Sequence, residues 1–286
     1  MGAPFRQPEW SALALWEAPE LVAEAHRRFI DAGADVIITN TYALVPYHIG
    51  DERYTDQGQA LMALAGQIAR HVADEADRPV LVAGSVPPLF GSYRPENFDP
   101  ATAPAMYRAF VESQAPYVDL WITETLGSVT EFDVSRAAVV HDDRQLWAAF
   151  CLQKDLVDGR ARLYSDESVA DAARAAAAGV ESGVAALVFN CAPPEVMGPA
   201  IAEARETLGP DFGGLRVGAY PNAFPDHVTD GYAANDTILG RRPDLTGQRL
   251  ADLVEDWIAL GATIAGGCCG MHPEHIAAVA DRVRRR

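Results

Sequence analysis

Short runs of apolar, β-branched residues alternate along the chain with segments in which apolar residues recur every three or four positions. Runs that are apolar nearly throughout predict strands buried on both faces, and the three-to-four spacing predicts amphipathic helices. The predicted strands are 35-DVIITN-40, 79-PVLVAGS-85, 119-DLWITE-124, 146-LWAAFCLQ-153, 185-AALVFN-190, 215-LRVGAY-220 and 263-TIAGGC-268.

Helical spacing follows most of these strands. We predict helices that begin near Pro19, cover 166–179, follow the apolar stripe 250–258 as far as Gly261, and begin near Pro273. Strands that each precede a helix, at intervals of about thirty to forty-five residues, indicate an α/β fold of the (β/α)₈ TIM-barrel type in a single domain, 1–286. A barrel needs eight strands and the pattern supplies seven, so we expect the first strand to be missing.

Composition excludes several classes of function. The chain is 49% hydrophobic and carries a formal net charge of −17, which disfavours nucleic acid and anionic membranes as partners. We expect no membrane-spanning segment, because no apolar run is long enough, and no secretion signal, because no basic and then apolar stretch opens the sequence. Four cysteines without a disulfide-framework spacing favour a reducing, cytoplasmic location. We expect small-molecule substrates, and the oligomeric state stays open.

The most distinctive motif is 266-GGCCG-270 near the C-terminus, and a further cysteine, Cys191, directly follows the strand 185–190. Three thiolates suit zinc and leave its fourth position open to a substrate. Cys268 and Cys269 can reach one ion only if the chain bends there, which glycine permits. The alternative is a pair of small buried residues in a tight turn.

Active sites of such barrels lie at the carboxyl ends of the strands, where Cys191 would meet Cys268 and Cys269. We expect the long loops 87–101 and 221–246 to build this rim. Cys151 falls inside a strand and is expected in the core. His272 is a conceivable fourth ligand, although a solvent-facing position in the first turn of a helix is the simpler interpretation.

Polar residues at the other strand ends are candidates for substrate binding. Glu124 closes an apolar run and could bind a substrate ammonium group; otherwise it is a capping or surface carboxylate. The remaining candidates could bind substrate or could equally cap helices and hold turns, and they are Asn40, Thr41, Ser85, Asn190 and Asn222.

These motifs together resemble the homocysteine S-methyltransferase family, from about Pro8 to the last helix. The segments that carry the resemblance are 35-DVIITNTY-42, 82-VAGSVPP-88, 122-ITETL-126, 189-FNC-191, 220-YPNA-223 and 261-GATIAGGCCG-270. The resemblance implies a (β/α)₈ barrel with zinc bound by Cys191, Cys268 and Cys269. It also implies homocysteine binding by Glu124 and by the segment Thr39-Asn40-Thr41.

Two departures from the family pattern affect what is expected. Family members usually begin with a strand that carries an Asp-Gly-Gly segment, whose acid helps to hold the homocysteine amino group, and that segment is missing here. Pro87-Pro88-Leu89 stands where better-known members carry glycine, which bears on the methyl donor.

The expected reaction is methyl transfer to the homocysteine thiolate, giving methionine, from a methylsulfonium donor such as S-methylmethionine or S-adenosylmethionine. Betaine is less expected, because the betaine-using branch has an aromatic residue where this chain has Thr125. Folate or corrinoid donors need further modules. The alternatives are a non-catalytic zinc-binding barrel, a methyltransferase for another thiol and, more weakly, a redox protein with a Cys268–Cys269 disulfide.

Overall fold

The computed structural model describes residues 2–140, 142–224 and 240–285. All seven predicted strands are present, and they form one parallel sheet. The strands are β1 (Val36–Ile38), β2 (Leu81–Val86), β3 (Leu120–Leu126), β4 (Leu146–Cys151), β5 (Val184–Asn190), β6 (Arg216–Tyr220) and β7 (Ile264–Ala265). Strand β7 is shorter than predicted, because the chain leaves the sheet at Gly266.

Neighbouring strands in the sheet are also neighbours in the chain, in the order β1 to β7. A doubly wound sheet would reverse its strand order at a switch point, whereas a barrel of TIM type keeps chain order throughout. The predicted α/β class and the barrel-type strand order are therefore confirmed. The edges of the described sheet are β1 and β7, and the expectation that the first strand of the barrel is missing remains a prediction.

Helices connect the strands in the described part of the chain. They are α1 (Leu13–Glu17), α2 (Pro19–Asp31), α3 (Pro46–Ile49), α4 (Asp51–Asp74), α5 (Ala103–Gln114), α6 (Val129–Val139), α7 (Val169–Ala178), α8 (Pro194–Leu208), α9 (Gly247–Ala259) and α10 (Pro273–Arg284). The four helices predicted from the sequence correspond to α2, α7, α9 and α10. In α7 the start is marked by a reciprocal capping pair, Ser168 with Asp171.

Helices from the two ends of the described chain, α2 and α10, meet, which shows how far the sheet curls. Gly33, just after α2, has a φ of +104°, and a Cβ atom there would lie 2.7 Å from Cβ of Ala280 on α10. A larger residue at position 33 would therefore be strained and would also push α10 away. Helices α2 and α10 thus pack together between the two edge strands, β1 and β7, which are not paired in the described part of the chain.

Apolar side chains fill both faces of the sheet. A large buried cluster lies between the strands and the helices, and a smaller one occupies the concave face. On β3 the smaller cluster includes Leu120 and Ile122, and on β5 it includes Ala186 and Val188. Because alternate residues of a strand share a face, Glu124 and Asn190 continue these two rows at the carboxyl ends of the strands. The fold therefore places a polar layer on top of an apolar one.

Loop 87–101, which was expected to help build the rim, is described, and it contains a short 3₁₀ turn at Pro95–Asn97. Of the second expected loop, 221–246, residues 225–239 lie outside the described residues. None of the described helices is long and apolar enough to cross a membrane.

A buried histidine predicts how stability depends on pH. His48 in α3 is 1% exposed, and its Nδ1–H donates to the Pro8 carbonyl at 2.8 Å. Burial lowers the pKa of His48 from 6.5 to about 4. Between these values the unfolded chain binds more protons than the folded one, so stability is complete above pH 6.5 and is lost as the pH falls towards 4.

When the pH is lowered from about 7.5 to about 5.5, we expect the titration of His48 to lower the unfolding free energy by about 1 kcal/mol. The His48→Gln variant lacks this proton-linked loss. The stability difference between wild type and variant, measured by urea unfolding, should therefore shrink at the lower pH. An equal difference at both pH values would contradict the prediction.

Candidate active site

Three cysteines from distant parts of the chain meet at the carboxyl end of the sheet. Cys191 directly follows β5, and Cys268 and Cys269 follow β7. The Sγ atoms of Cys191 and Cys269 are 3.7 Å apart, those of Cys268 and Cys269 are 3.8 Å apart, and all three lie within 4.8 Å of one another. The convergence expected from the barrel geometry is therefore present.

Glycines and backbone hydrogen bonds hold the two adjacent cysteines in place. Gly270 has a φ of +74°, and a Cβ atom on Gly267 would lie 2.6 Å from Cγ of Met271, so both positions favour glycine. The Cys268 amide donates to the Pro221 carbonyl, and the Ala223 amide donates to the Cys269 carbonyl, both at 2.8 Å. The turn after β7 is thereby fastened to the loop after β6, which aims both thiols at Cys191.

The chemistry of this cluster fits a metal ion. The pKa values of Cys268 and Cys269 are raised well above the usual 9, first through the hydrogen bonds they share with Cys191 and then by burial. Three crowded thiols do not ionise together without a compensating cation, and sulfur ligands suit zinc. In the described ranges this is the group of side chains arranged to hold a metal, and it includes neither Cys151 nor His272.

Cys151 and His272 have other positions. Cys151 is fully buried in β4, as expected. His272 is the residue before α10, and its side chain is 46% exposed, which agrees with the simpler interpretation of it.

Glu124 lies near the carboxyl end of β3, on the concave face of the sheet, and is only 8% exposed. The Ser85 hydroxyl donates to its Oε2 at 2.6 Å, and the Tyr220 hydroxyl donates to its Oε1 at 3.3 Å. Burial raises the pKa of Glu124 to about 7, although both hydrogen bonds act in the opposite direction. A buried carboxylate of this kind gains most when a cation pairs with it, so Glu124 is well suited to a substrate ammonium group.

A buried polar network holds Ser85 where it can reach Glu124. Gln114 of α5 is fully buried, and its Nε2 donates to the Ser85 carbonyl at 3.1 Å. Its Oε1 accepts a 2.6 Å hydrogen bond from Thr39, and the Thr41 hydroxyl also donates to the Ser85 carbonyl, at 3.0 Å. The predicted residues Thr41 and Ser85 therefore share a network that ends on Glu124.

Asn190 joins the glutamate strand to the cysteine strand. Its Oδ1 accepts from the Thr125 amide at 3.1 Å, and its Nδ2 donates to the Thr125 hydroxyl at 2.8 Å. Thr125 has a φ of +58° and lies where the register between β3 and β4 shifts, and Cys191 has a φ of +48°. Asn190 therefore holds Thr125, the residue after Glu124, and directly precedes Cys191, a candidate metal ligand. The two residues with a positive φ, Thr125 and Cys191, both lie at the site.

The two remaining candidates lie at the edges of the site. Asn40 is half-buried, and its Nδ2 donates to the Ser11 carbonyl at 3.1 Å. Asn222 is fully buried in the loop after β6, where its Oδ1 accepts from the Phe224 amide and its own amide donates to the Ala192 carbonyl, both at 3.1 Å. Their expected contact with substrate remains a prediction.

Three residues of this site were not named as site residues from the sequence. Tyr220 belongs to the motif 220-YPNA-223 and ends a predicted strand at the rim, but its contact with Glu124 was not predicted. Gln114 also leaves a signal, since it is the polar member of the buried α5 stripe Ala103, Tyr107, Phe110 and Gln114. Tyr93, whose hydroxyl donates to Cys191 Sγ at 3.2 Å, lies in a loop and follows no periodic pattern.

The comparisons with known proteins agree with one another. A family model described as homocysteine S-methyltransferase matches residues 3–283. The chain is 26% identical over 309 residues to homocysteine S-methyltransferase 1 of Zea mays, covering 100% of this chain and 91% of that protein. It is 28% identical to homocysteine S-methyltransferase of Escherichia coli, covering 96% of this chain and 87% of that protein.

Among solved structures, the fold resembles the metallated form of the homocysteine methyltransferase MmuM from Escherichia coli. The TM-score is 0.73 at 28% identity, and the match covers 96% of this chain and 88% of that one. The family match spans the strands, the buried glutamate and all three clustered cysteines.

Proposed function

Because the chain belongs to the homocysteine S-methyltransferase family and transfers a methyl group to homocysteine, we propose that Cys191, Cys268 and Cys269 hold a zinc ion for this reaction. The observation that carries the proposal is the approach of the three sulfur atoms within 4.8 Å of one another at the carboxyl end of the sheet. When bound, zinc deprotonates a coordinating thiol outright, which would keep the homocysteine sulfur nucleophilic at neutral pH.

Glu124 supplies the second half of the acceptor site. In the ionised form its carboxylate pairs with the homocysteine ammonium group, while Ser85 and Tyr220 hold its two oxygens. The Asn190–Thr125 pair fixes the backbone between this carboxylate and the cysteine cluster. Amino group and thiol of the substrate are therefore held by two strands whose relative position is set by buried hydrogen bonds.

A strand between β7 and β1 would complete the eight-stranded barrel. In the family pattern that strand carries the Asp-Gly-Gly segment, and its acid would face the same ammonium group as Glu124. We propose that this carboxylate strengthens acceptor binding in any form of the protein that contains it.

The donor that fits this site best is a methylsulfonium compound, with S-methylmethionine preferred to S-adenosylmethionine. The substrate sulfur attacks the methyl carbon in line, and the donor sulfur leaves with the bonding electron pair as a neutral thioether. Such a leaving group needs no general acid. The clustered thiolates, Glu124 and the net charge of −17 all favour a cationic donor.

All four cysteines are free, in keeping with the cytoplasmic location that we propose.

The decisive experiment is an assay of zinc-loaded protein with homocysteine and each donor in turn. We expect methionine to form fastest with S-methylmethionine, more slowly with S-adenosylmethionine, and least with betaine. Selenocysteine is a useful second acceptor, because a selenocysteine methyltransferase of Astragalus bisulcatus is 26% identical over 309 residues. Transfer to selenocysteine but not homocysteine would assign the site to another acceptor. A zinc-loaded protein inactive with every pair would favour the non-catalytic barrel.

A further inference from the structure

Tyr93 makes a contact with the cysteine cluster that methyl transfer itself does not require. Its hydroxyl donates to Sγ of Cys191 at 3.2 Å, across 98 positions of sequence. Tyr93 follows β2 in the chain and has a φ of +64°, a backbone conformation that is rare for a bulky residue. The backbone at Tyr93 is therefore strained in the conformation that brings its hydroxyl to the Cys191 sulfur.

Three contacts hold the Tyr93 loop in place. The hydroxyl of the preceding residue, Ser92, lies 2.6 Å from the Tyr42 hydroxyl and 3.0 Å from the Tyr47 hydroxyl. The Tyr93 ring packs against the Tyr164 ring with a centroid distance of 5.0 Å. Neighbouring side chains thus hold both Ser92 and the Tyr93 ring, in the position that places the Tyr93 hydroxyl at Cys191.

A site that activates a thiol for methylation contains competing nucleophiles. Cys191, Cys268 and Cys269 are themselves thiolates when they hold a cation, and their sulfur atoms are adjacent. Attack by Cys191 Sγ on a sulfonium methyl would form an S–CH₃ bond and break the donor's C–S bond, whose electron pair would stay on the donor sulfur. The product, S-methylcysteine, is a neutral thioether and a much poorer zinc ligand than a thiolate, so the reaction would inactivate the site.

We propose that Tyr93 protects Cys191 from methylation, so that the methyl group goes to the substrate sulfur. A hydrogen bond to a thiolate stabilises its charge, and that stabilisation is lost as the sulfur lone pair forms a new bond. The hydroxyl also occupies one side of a sulfur whose residue is already only 3% exposed. Tyr93 is therefore a positioning residue that acts through Cys191. The inference rests on the proposed function for the zinc site and for the identity of the donor, and its test needs only the zinc site.

The test measures the reactivity of each cysteine without homocysteine or a biological donor. Zinc-loaded wild type and Tyr93→Phe are treated with iodomethane, and methylation at each cysteine is followed by peptide mass spectrometry. The phenylalanine variant keeps the ring and loses only the hydroxyl. We expect Cys191 to be methylated about tenfold faster in Tyr93→Phe than in the wild type, because the variant has lost a charged hydrogen bond to this sulfur. Zinc should be released as fast as Cys191 is methylated. Methylation of Cys268 should stay within about twofold.

Tyr164→Phe is the matched control, since it removes a neighbouring hydroxyl and keeps the ring that packs on Tyr93. It should leave the rate at Cys191 unchanged. Equal rates at Cys191 in wild type and Tyr93→Phe, at equal initial zinc content, would overturn the proposal. So would a general loss of zinc from Tyr93→Phe before iodomethane is added, which would make the hydroxyl a structural support. Because iodomethane replaces the donor, either result stands whether or not the protein makes methionine.

Discussion

Replacing Cys191 by alanine is expected to abolish methionine formation and to weaken zinc binding by more than about a hundredfold. The physical reason is the ligand count. Three sulfur atoms lie within 4.8 Å of one another, so removing one leaves two ligands and a gap on the side of β5. Cys268→Ala and Cys269→Ala should have the same effect. The measurement is zinc content per chain after dialysis, together with the rate of methionine formation.

Cys151→Ala is the matched control for the three ligand variants. It also removes a buried thiol, but from the middle of the packed sheet, and Cys151 is not part of the cluster. We expect it to lower the unfolding free energy by about 1 kcal/mol or somewhat more, and to leave the zinc content at one per chain. A Cys191→Ala protein that kept one zinc per chain would show that the cluster is not the metal site.

The second large effect is expected from Glu124→Gln. This change keeps the shape and the hydrogen-bonding capacity of the side chain but removes the charge that pairs with the homocysteine ammonium group. We expect homocysteine to bind about ten- to a hundredfold more weakly, the effect of losing about 1–3 kcal/mol, while zinc is retained. The KM for homocysteine should rise much more than kcat falls, because the ammonium group is remote from the reacting sulfur.

The pH dependence of homocysteine affinity, compared between wild type and Glu124→Gln, tests the role of Glu124 more specifically. Burial raises the pKa of Glu124 to about 7, and the protonated form cannot pair with an ammonium group. Homocysteine affinity of the wild type should therefore fall as the pH drops below about 7. The thiol of homocysteine adds its own proton release in both proteins. Below about pH 7, a plot of the logarithm of homocysteine affinity against pH should therefore have a slope about one unit smaller in Glu124→Gln than in the wild type.

Glu131→Gln is the matched control for Glu124→Gln. Glu131 is also buried, at 3% exposure, and burial likewise raises its pKa to about 7. Its carboxylate accepts from the Gly127 amide and the Ser128 hydroxyl at the start of α6, and it is not part of the group that Cys191, Cys268 and Cys269 form. We expect a change in stability and an unchanged affinity for homocysteine. Equal losses of affinity in both variants would mean that Glu124 supports the fold and does not bind the ammonium group.

The sequence alone determined the strands and their order. The strands β2 to β6 are apolar runs that lie buried almost throughout, so the local pattern is enough to identify them, whereas the edge strands β1 and β7 are partly exposed. The end of β7 was predicted less well, because only two of its residues pair with β6 while the glycines beyond them continue the same small, apolar pattern. A pattern of hydrophobicity does not record where pairing stops.

The cysteines and Glu124 could also be named from the sequence, because residues at the carboxyl ends of parallel strands must meet once the barrel is accepted. What these residues contact was decided only by tertiary structure. Thr41, Ser85 and Asn190 were named as candidates for substrate binding, and the fold shows them bonded to buried partners that position Glu124 and Cys191.

Gln114 and Tyr93 mark the limit of what sequence determines. Gln114 reaches the site from a helix, and its partner Thr39 lies 75 positions away. Tyr93 reaches Cys191 from a strained loop, over 98 positions. Both contacts depend on how the helices pack on the sheet and on how one loop turns over its rim. Periodicity describes the face that each element buries, but only the folded chain decides which side chains from different elements meet.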